Sequence, residues 1–245
     1  MTVTTDLGNV GFKWFFGVIK NIMDPDELGA VQLYVPGMHD GIPEEDLPWA
    51  MPLGSITSSS TMGVGRSPTG IQVGSWVWGF FADGQDANLP FYVGTLWQIL
   101  GGEDANHAVS KLARGENFID KDLLGPEPES AYGAEYPYNQ TYTTSSGHVI
   151  EVDDTEGAER IHIYHRSGTY IEIDKDGRYV AKTAGDHYHI VAGDEELYVK
   201  GNVNLHVVGN VTQQVDGDFS LNASGDVNIS SDGDITMVGN RINLN

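Results

Sequence analysis

The chain has 245 residues, 40% of them hydrophobic and 10% aromatic, enough for one or two domains with a real core. Its formal charge is −22, from 35 acidic and 13 basic residues, and such a chain lacks the Lys and Arg that displace counterions from nucleic acid. With no cysteine, disulfides, thiolate nucleophiles and zinc–thiolate sites are excluded.

The first residues, Met1 to Asp6, lack the basic start and apolar core of a signal peptide. No apolar run approaches the ~18–20 residues that cross a bilayer. The expectation is a soluble product made in the cytoplasm, with no signal peptide or transmembrane segment. From residue 12 the chain reads as short strands separated by turn signals. Phe15–Ile22, Val31–Val35, Ile71–Phe81 and Phe91–Trp97 are the candidates, with breaks at Asp83-Gly84 and Leu89-Pro90. Ser55–Gly70 is a long Ser/Gly/Thr loop, and Asp104–Ala113 carries helical periodicity. Size and spacing predict a five-stranded barrel of the OB type over residues 1–100. Residues 101–140, with Pro126-Glu127-Pro128-Glu129, read as a linker. All five tryptophans fall in the first hundred positions, whereas the last sixty hold one large aromatic hydrocarbon, Phe219.

The final third is a repeat. Gly177, Gly185, Gly193, Gly201, Gly209, Gly217, Gly225 and Gly233 follow one another at intervals of eight, and from Gly185 each is followed by Asp or Asn. That dipeptide is turn chemistry, because these residues best tolerate positive φ. In the seven octads from Gly185, fifteen of the twenty-one residues at the second, fourth and sixth positions after glycine are apolar. They include Val191, Leu197, Val199, Val203, Leu205, Val207, Val211, Val215, Phe219, Leu221, Val227, Ile229, Ile235 and Met237. A period of two means a short strand with one buried face in each octad. A single-chain β-helix needs about three strands per coil, so an octad with one turn marker does not suit it. Three chains wound together, each giving one face of a triangular prism, would turn all these stripes to a common axis. The fold expected is therefore all-β: an OB barrel, then an intertwined triple-stranded β-helix over residues 141–245 (octads over 177–240) in a homotrimer. A flat meander of seven hairpin strands is the alternative, and it would leave one apolar face open.

Gly17-Val18-Ile19, Met23-Asp24-Pro25 and Leu28-Gly29-Ala30-Val31-Gln32-Leu33 resemble the N-terminal OB domain of the central spike of contractile phage tails. Leu47-Pro48-Trp49-Ala50, Gly65-Arg66-Ser67-Pro68-Thr69-Gly70, the run Gly74 to Phe81, and Val93-Gly94-Thr95 continue the likeness. The run Ser146 to Thr155, then Gly157-Ala158-Glu159-Arg160 and His165-Arg166-Ser167-Gly168, look like the segment leading into the β-prism of those spikes. The same segment occurs in the valine-glycine-repeat spikes of type VI secretion, and Val-x-Gly recurs here at 191–193, 199–201, 207–209 and 215–217. The resemblance implies a structural baseplate spike of the virion that transmits contraction force and pierces the host outer envelope. A spike of a type VI-like or other contractile injection system is the alternative. The interval 101–140 is too short for the lysozyme domain of the best-known phage spike, and a fused hub domain ahead of the barrel, usual in secretion-type spikes, is not expected. The implied form has a separately encoded hub above, a tip protein of the proline-alanine-alanine-arginine repeat kind below, and no muralytic activity.

The side chains agree with a protein that is not an enzyme. No Gly-x-Ser-x-Gly elbow is present. The densest carboxylate group, Asp153, Asp154, Glu156 and Glu159, reads as a solvated loop. Trp76 and Trp78 share one strand face and, with Trp14, are expected to contact the hub rather than nucleic acid. His187 and His189 take inward positions of the first octad, so a trimer would bring six imidazoles to its axis. Such a set suits a divalent transition metal, with a hydrated polar layer as the alternative. No other cofactor is expected.

Overall fold

The computed structural model describes residues 13–61, 64–97 and 127–243. Five strands close the first barrel: β1 (Lys13–Asn21), β2 (Val31–Tyr34), β3 (Trp49–Pro52), β4 (Trp76–Phe81) and β5 (Pro90–Leu96), in the order β1-β2-β3-β5-β4. All pairings are antiparallel except β3 with β5, which is the OB arrangement expected. Alternation on β1 sends Phe15 and Ile19 inward, where they meet Val31, Leu33, Ala50, Val77, Phe81 and Tyr92. β3 was not among the candidate strands, because four residues ending in proline carry too little periodicity to stand out. The candidate helix Asp104–Ala113 lies outside the described residues.

Two local devices hold the barrel closed. The β4–β5 register moves from Trp78↔Gly94 to Gly79↔Tyr92, leaving Val93 as the extra residue of a bulge. There a Cβ on Gly79 would stand 2.2 Å from the Phe91 carbonyl oxygen and 2.7 Å from Phe15 Cζ, so only glycine fits. In the β1–β2 loop, Asp24 accepts from the backbone N–H groups of Asp26, Leu28 and Ala30. Desolvation works against its charge, but these donors outweigh it and lower the carboxyl pKa. The Tyr92 hydroxyl donates to the Gly29 carbonyl across 2.8 Å and ties that loop to β5.

A second sheet follows: β6 (Asn139–Thr143), β7 (Val149–Asp153), β8 (Arg160–Tyr164), β9 (Tyr170–Asp174) and β10 (Tyr179–Lys182), an antiparallel meander in chain order. Each of its four turns contains one glycine at positive φ: Gly147, Gly157, Gly168 and Gly177. Of the segment 101–140 expected as linker, residues 127–138 run as a strap bonded to this sheet and the last two begin β6. The sheet ends the first unit of the chain, and the second comprises His189–Asn245. No strand is formed between residues 183 and 243, and the backbone bends at the repeat glycines. Among the described residues the octads do not pair with one another as a flat meander would require. Left-handed φ is also absent from Gly185 to Gly233, correcting the expectation drawn from the Gly-Asp and Gly-Asn pairs. Among the described residues no helix is long and apolar enough to cross a membrane.

Candidate functional site

Alternation along β7, β8 and β9 puts Glu151, Arg160, His162 and Glu172 on one face of the second sheet. Ile150, Val152, Ile161, Ile163, Ile171 and Ile173 share the other. Ordinary partition would bury the isoleucines and hydrate the charges. The reverse is found: Glu151 is 0% exposed and Arg160 2%, whereas Ile150 is 49% and Ile163 47% exposed.

The charges are tolerated because they are paired. Glu151, His162 and Glu172 stand level on adjacent strands, and Arg160 lies two residues before His162 on the same face. Arg160 Nη1 donates to Glu172 Oε2 at 2.9 Å, and its Nη2 pairs with Glu151 Oε2. Asn139 Nδ2 donates to Glu151 Oε1 at 2.7 Å. Burial alone would raise the pKa of Glu151. His162, the Arg160 guanidinium and the Asn139 amide outweigh it and hold the group below its ordinary value. Glu172 is likewise lowered against its desolvation, by Ser130, the Ala131 N–H and Arg160. The strap covers this face, with the Arg160 guanidinium 4.9 Å from the Tyr132 ring centroid. Paired and enclosed in this way, the carboxylates form an anchor rather than an acid/base pair in a cleft.

The octads present a second uncovered apolar surface. Val191, Val199, Val207 and Val215, each two residues before a glycine, stand at 43–46% exposed. Leu197, Val203, Leu205, Val211, Phe219, Leu221, Val227, Ile229, Ile235 and Met237 are more exposed still. At Gly185, Gly193, Gly201, Gly209, Gly217 and Gly225 an added Cβ would meet nothing within 4 Å of the same chain. Nothing within one chain therefore calls for glycine there.

A third surface lies on the outer wall of the barrel. Trp14, Phe16 and Val18 of β1 stand beside Phe80, Trp78 and Trp76 of β4. Trp14 and Trp78 stack with ring centroids 4.7 Å apart and planes 12° from parallel. Phe80 meets the edge of Trp14 at 5.3 Å and stacks on Phe91 at 5.6 Å. The result is a continuous aromatic ridge across three strands, half-exposed at Trp14, Phe16 and Trp78.

A family model for the Gp5 N-terminal OB domain matches residues 32–115, and one for the Gp5 C-terminal repeat, in three copies, matches residues 193–216. Protein Gp5 of Vibrio phage KVP40 is 32% identical over 260 aligned positions, covering 76% of this chain and 61% of that protein. The pre-baseplate central spike protein Gp5 of Enterobacteria phage T4 is 46% identical over 71 residues, 29% of this chain and 12% of that protein. The chain is a homologue of Gp5, the phage baseplate central spike protein.

It spans about three-fifths of the KVP40 Gp5 and a smaller part of the T4 protein. The Gp5 repeat match falls on the octads that contain Val199, Val203, Leu205, Val207, Val211 and Val215, and the OB match covers β3, β4 and β5. Of the residues singled out from the sequence, Trp14 and Trp78 come together, while Trp76 lies further along β4 opposite Val18. His187 and His189 are both exposed in a single chain, and His189 Nδ1 is 3.7 Å from Glu195 Oε1. Asp154, Glu156 and Glu159 are solvated as expected. Asp153 is not: it is the buried last residue of β7, and its Oδ1 accepts from both the N–H and the hydroxyl of Thr155. The Glu151–Arg160–Glu172 anchor was not singled out from the sequence. Its signal was the phase of Ile-Glu-Val-Asp, Arg-Ile-His-Ile-Tyr and Tyr-Ile-Glu-Ile-Asp, which places charges regularly opposite isoleucines.

Proposed function

We propose that three copies of this chain form the central spike of a contractile phage tail, with the octads from Gly185 onward wound into a triple-stranded β-helix. The expected start of that helix at residue 141 is corrected, because residues 139–182 pair among themselves as an antiparallel meander. The observation that carries this reading is the inverted sheet: charges buried on one face, isoleucine and valine left open on the other. An exposed apolar face of that size marks an interaction surface, and three-fold association covers it with like surfaces. The octads support the same conclusion. Their apolar stripe lacks a cover, their backbone lacks a ladder, and their glycines lack a neighbour that would exclude a Cβ. Partner chains winding at close range would supply all three.

The function is mechanical. Inter-chain backbone hydrogen bonds and a continuous apolar axis make a stiff rod without lateral edges, and separating interwound chains is slow. Such a rod transmits the thrust of contraction to the host outer envelope without bond-making chemistry. The aromatic ridge around Trp14 and Trp78 is the surface offered to a separately encoded hub, since aromatic clusters serve as anchors at protein interfaces. Both relatives are phage proteins, which favours a tail over a secretion apparatus. The test is labelling of purified tails with an antibody raised against residues 186–240. Label at the centre of the baseplate supports the reading, and tails that lack the chain overturn it.

A further inference from the structure

The strap, residues 127–138, crosses the charged face of the second sheet from one edge to the other. Glu127 pairs with Lys182 of β10, and the Glu129 carbonyl accepts from Arg178 Nη2 at 3.0 Å in the β9–β10 turn. Ser130 Oγ donates to Glu172 Oε2 of β9 at 2.8 Å, and the Ala131 N–H donates to Glu172 Oε1 at 3.3 Å. Arg160 Nη1 of β8 donates to Ser130 Oγ at 3.2 Å. The Glu135 N–H donates to Thr155 Oγ1 at 2.9 Å, and the Asp154 N–H to the Tyr138 carbonyl at 3.2 Å, both just after β7. Only then does the chain become β6, at Asn139. The strap therefore touches the sheet in the order β10, β9, β8, β7 before joining it as an edge strand.

We infer that the strap is a load-transfer clasp, which spreads force arriving along the chain over all five strands. This purpose rests on the force-bearing role proposed above; the clasp itself does not. Without it, a pull arriving at Asn139 would act on the end of an edge strand with one neighbour, and the β6–β7 ladder would open one pair at a time. With it, the pull is met first by Lys182 and Arg178 at the β10 end of the strap and then by Glu172 and Arg160 in the middle of the sheet, so several strands share it before β6 is loaded. Charge-assisted hydrogen bonds suit this task because they are short, directional and strong once water is excluded. A strap held by apolar contacts alone could slide along the sheet.

Amide hydrogen exchange of the full chain tests the clasp, because it reads local opening whatever the state of association. In the unsubstituted chain the Ala131 and Glu135 amides should be protected. Glu172→Gln turns one of the acceptors of the strap into a donor. It should raise exchange at Ala131 and Glu135 at least tenfold, with the β7–β8 ladder amides changed less than twofold. Should Glu172→Gln loosen the whole sheet, Ser130→Ala decides, since it removes only the hydroxyl on the strap side. Pulling the native protein by the two ends of one of its chains should then show the sheet of either variant unravelling at lower force. Unprotected strap amides in the unsubstituted chain overturn the clasp, as does a loosened strap with unchanged unravelling force. In the same exchange data the amides of residues 186–240 report separately on the prism, so its failure and that of the clasp are distinguishable.

Discussion

Gly79 shows how much of the barrel can depend on one missing atom. Its strand lies so close to β5 at the bulge that a methyl group would press on the Phe91 carbonyl and the Phe15 ring. Gly79→Ala should destabilise the barrel by about 1–3 kcal/mol, the usual cost of overpacking, seen as a lower denaturant midpoint by tryptophan fluorescence. An unchanged midpoint would show that the strands part easily there. His39 is a second residue with a measurable signature. It is buried near Phe81, and burial lowers its pKa below 6.5, only partly opposed by its bond to the Leu33 carbonyl. The unfolded chain therefore takes up a proton first as pH falls. The stabilisation is whole above 6.5 and declines as pH drops below that value toward the folded pKa. Glu151 and Glu172, lowered from 4.5, act in the second sheet. Their contribution is whole above 4.5 and is lost as pH falls through their folded pKa values. Thermal unfolding read by tryptophan should weaken from about pH 6.5 downward. The protection of β7–β9 amides should hold to about pH 4.5. A barrel indifferent to pH between those values would contradict the role given to His39.

At the scale of elements, the second sheet depends on Arg160. Removing it strands two buried carboxylates, and breaking a buried ion pair in this way costs about 3–5 kcal/mol. Arg160→Met should therefore abolish protection of the sheet. Replacing Glu151, Arg160 and Glu172 together by apolar residues of like volume should restore most of it, because the desolvation penalty disappears with the charges. A triple variant no better than Arg160→Met would show that the network does more than neutralise itself. This sheet also marks where the sequence stopped being legible. The barrel strands β1, β2, β4 and β5 were visible as apolar runs between Gly and Pro breaks, and the octads as a strict period. The segments that become β7, β8 and β9 alternate as strictly but read only as the run into the prism, and period two states that a strand has two faces and not which is covered. Isoleucine opposite Glu and Arg suggests a core on the isoleucine side. In one chain the strap covers the other side instead, through contacts such as Ser130 with Glu172 that are forty-two residues apart. No local pattern announces a partner at that distance.

For the whole molecule, the exposed side chains form a consistent set. The Ile150–Ile173 face, the Val191–Val215 stripe and the Trp14–Trp78 ridge all leave apolar side chains exposed in one chain. On the proposed reading, a Gp5 homologue with those surfaces is one part of a larger assembly, and self-association covers its two apolar faces. The most direct test is the native mass of the full chain by light scattering on a sizing column. Three chains of 26.6 kDa give about 80 kDa, and the account predicts that mass together with early, rod-like elution. A stable folded monomer would contradict the shared prism, and the spike mechanism would fall with it.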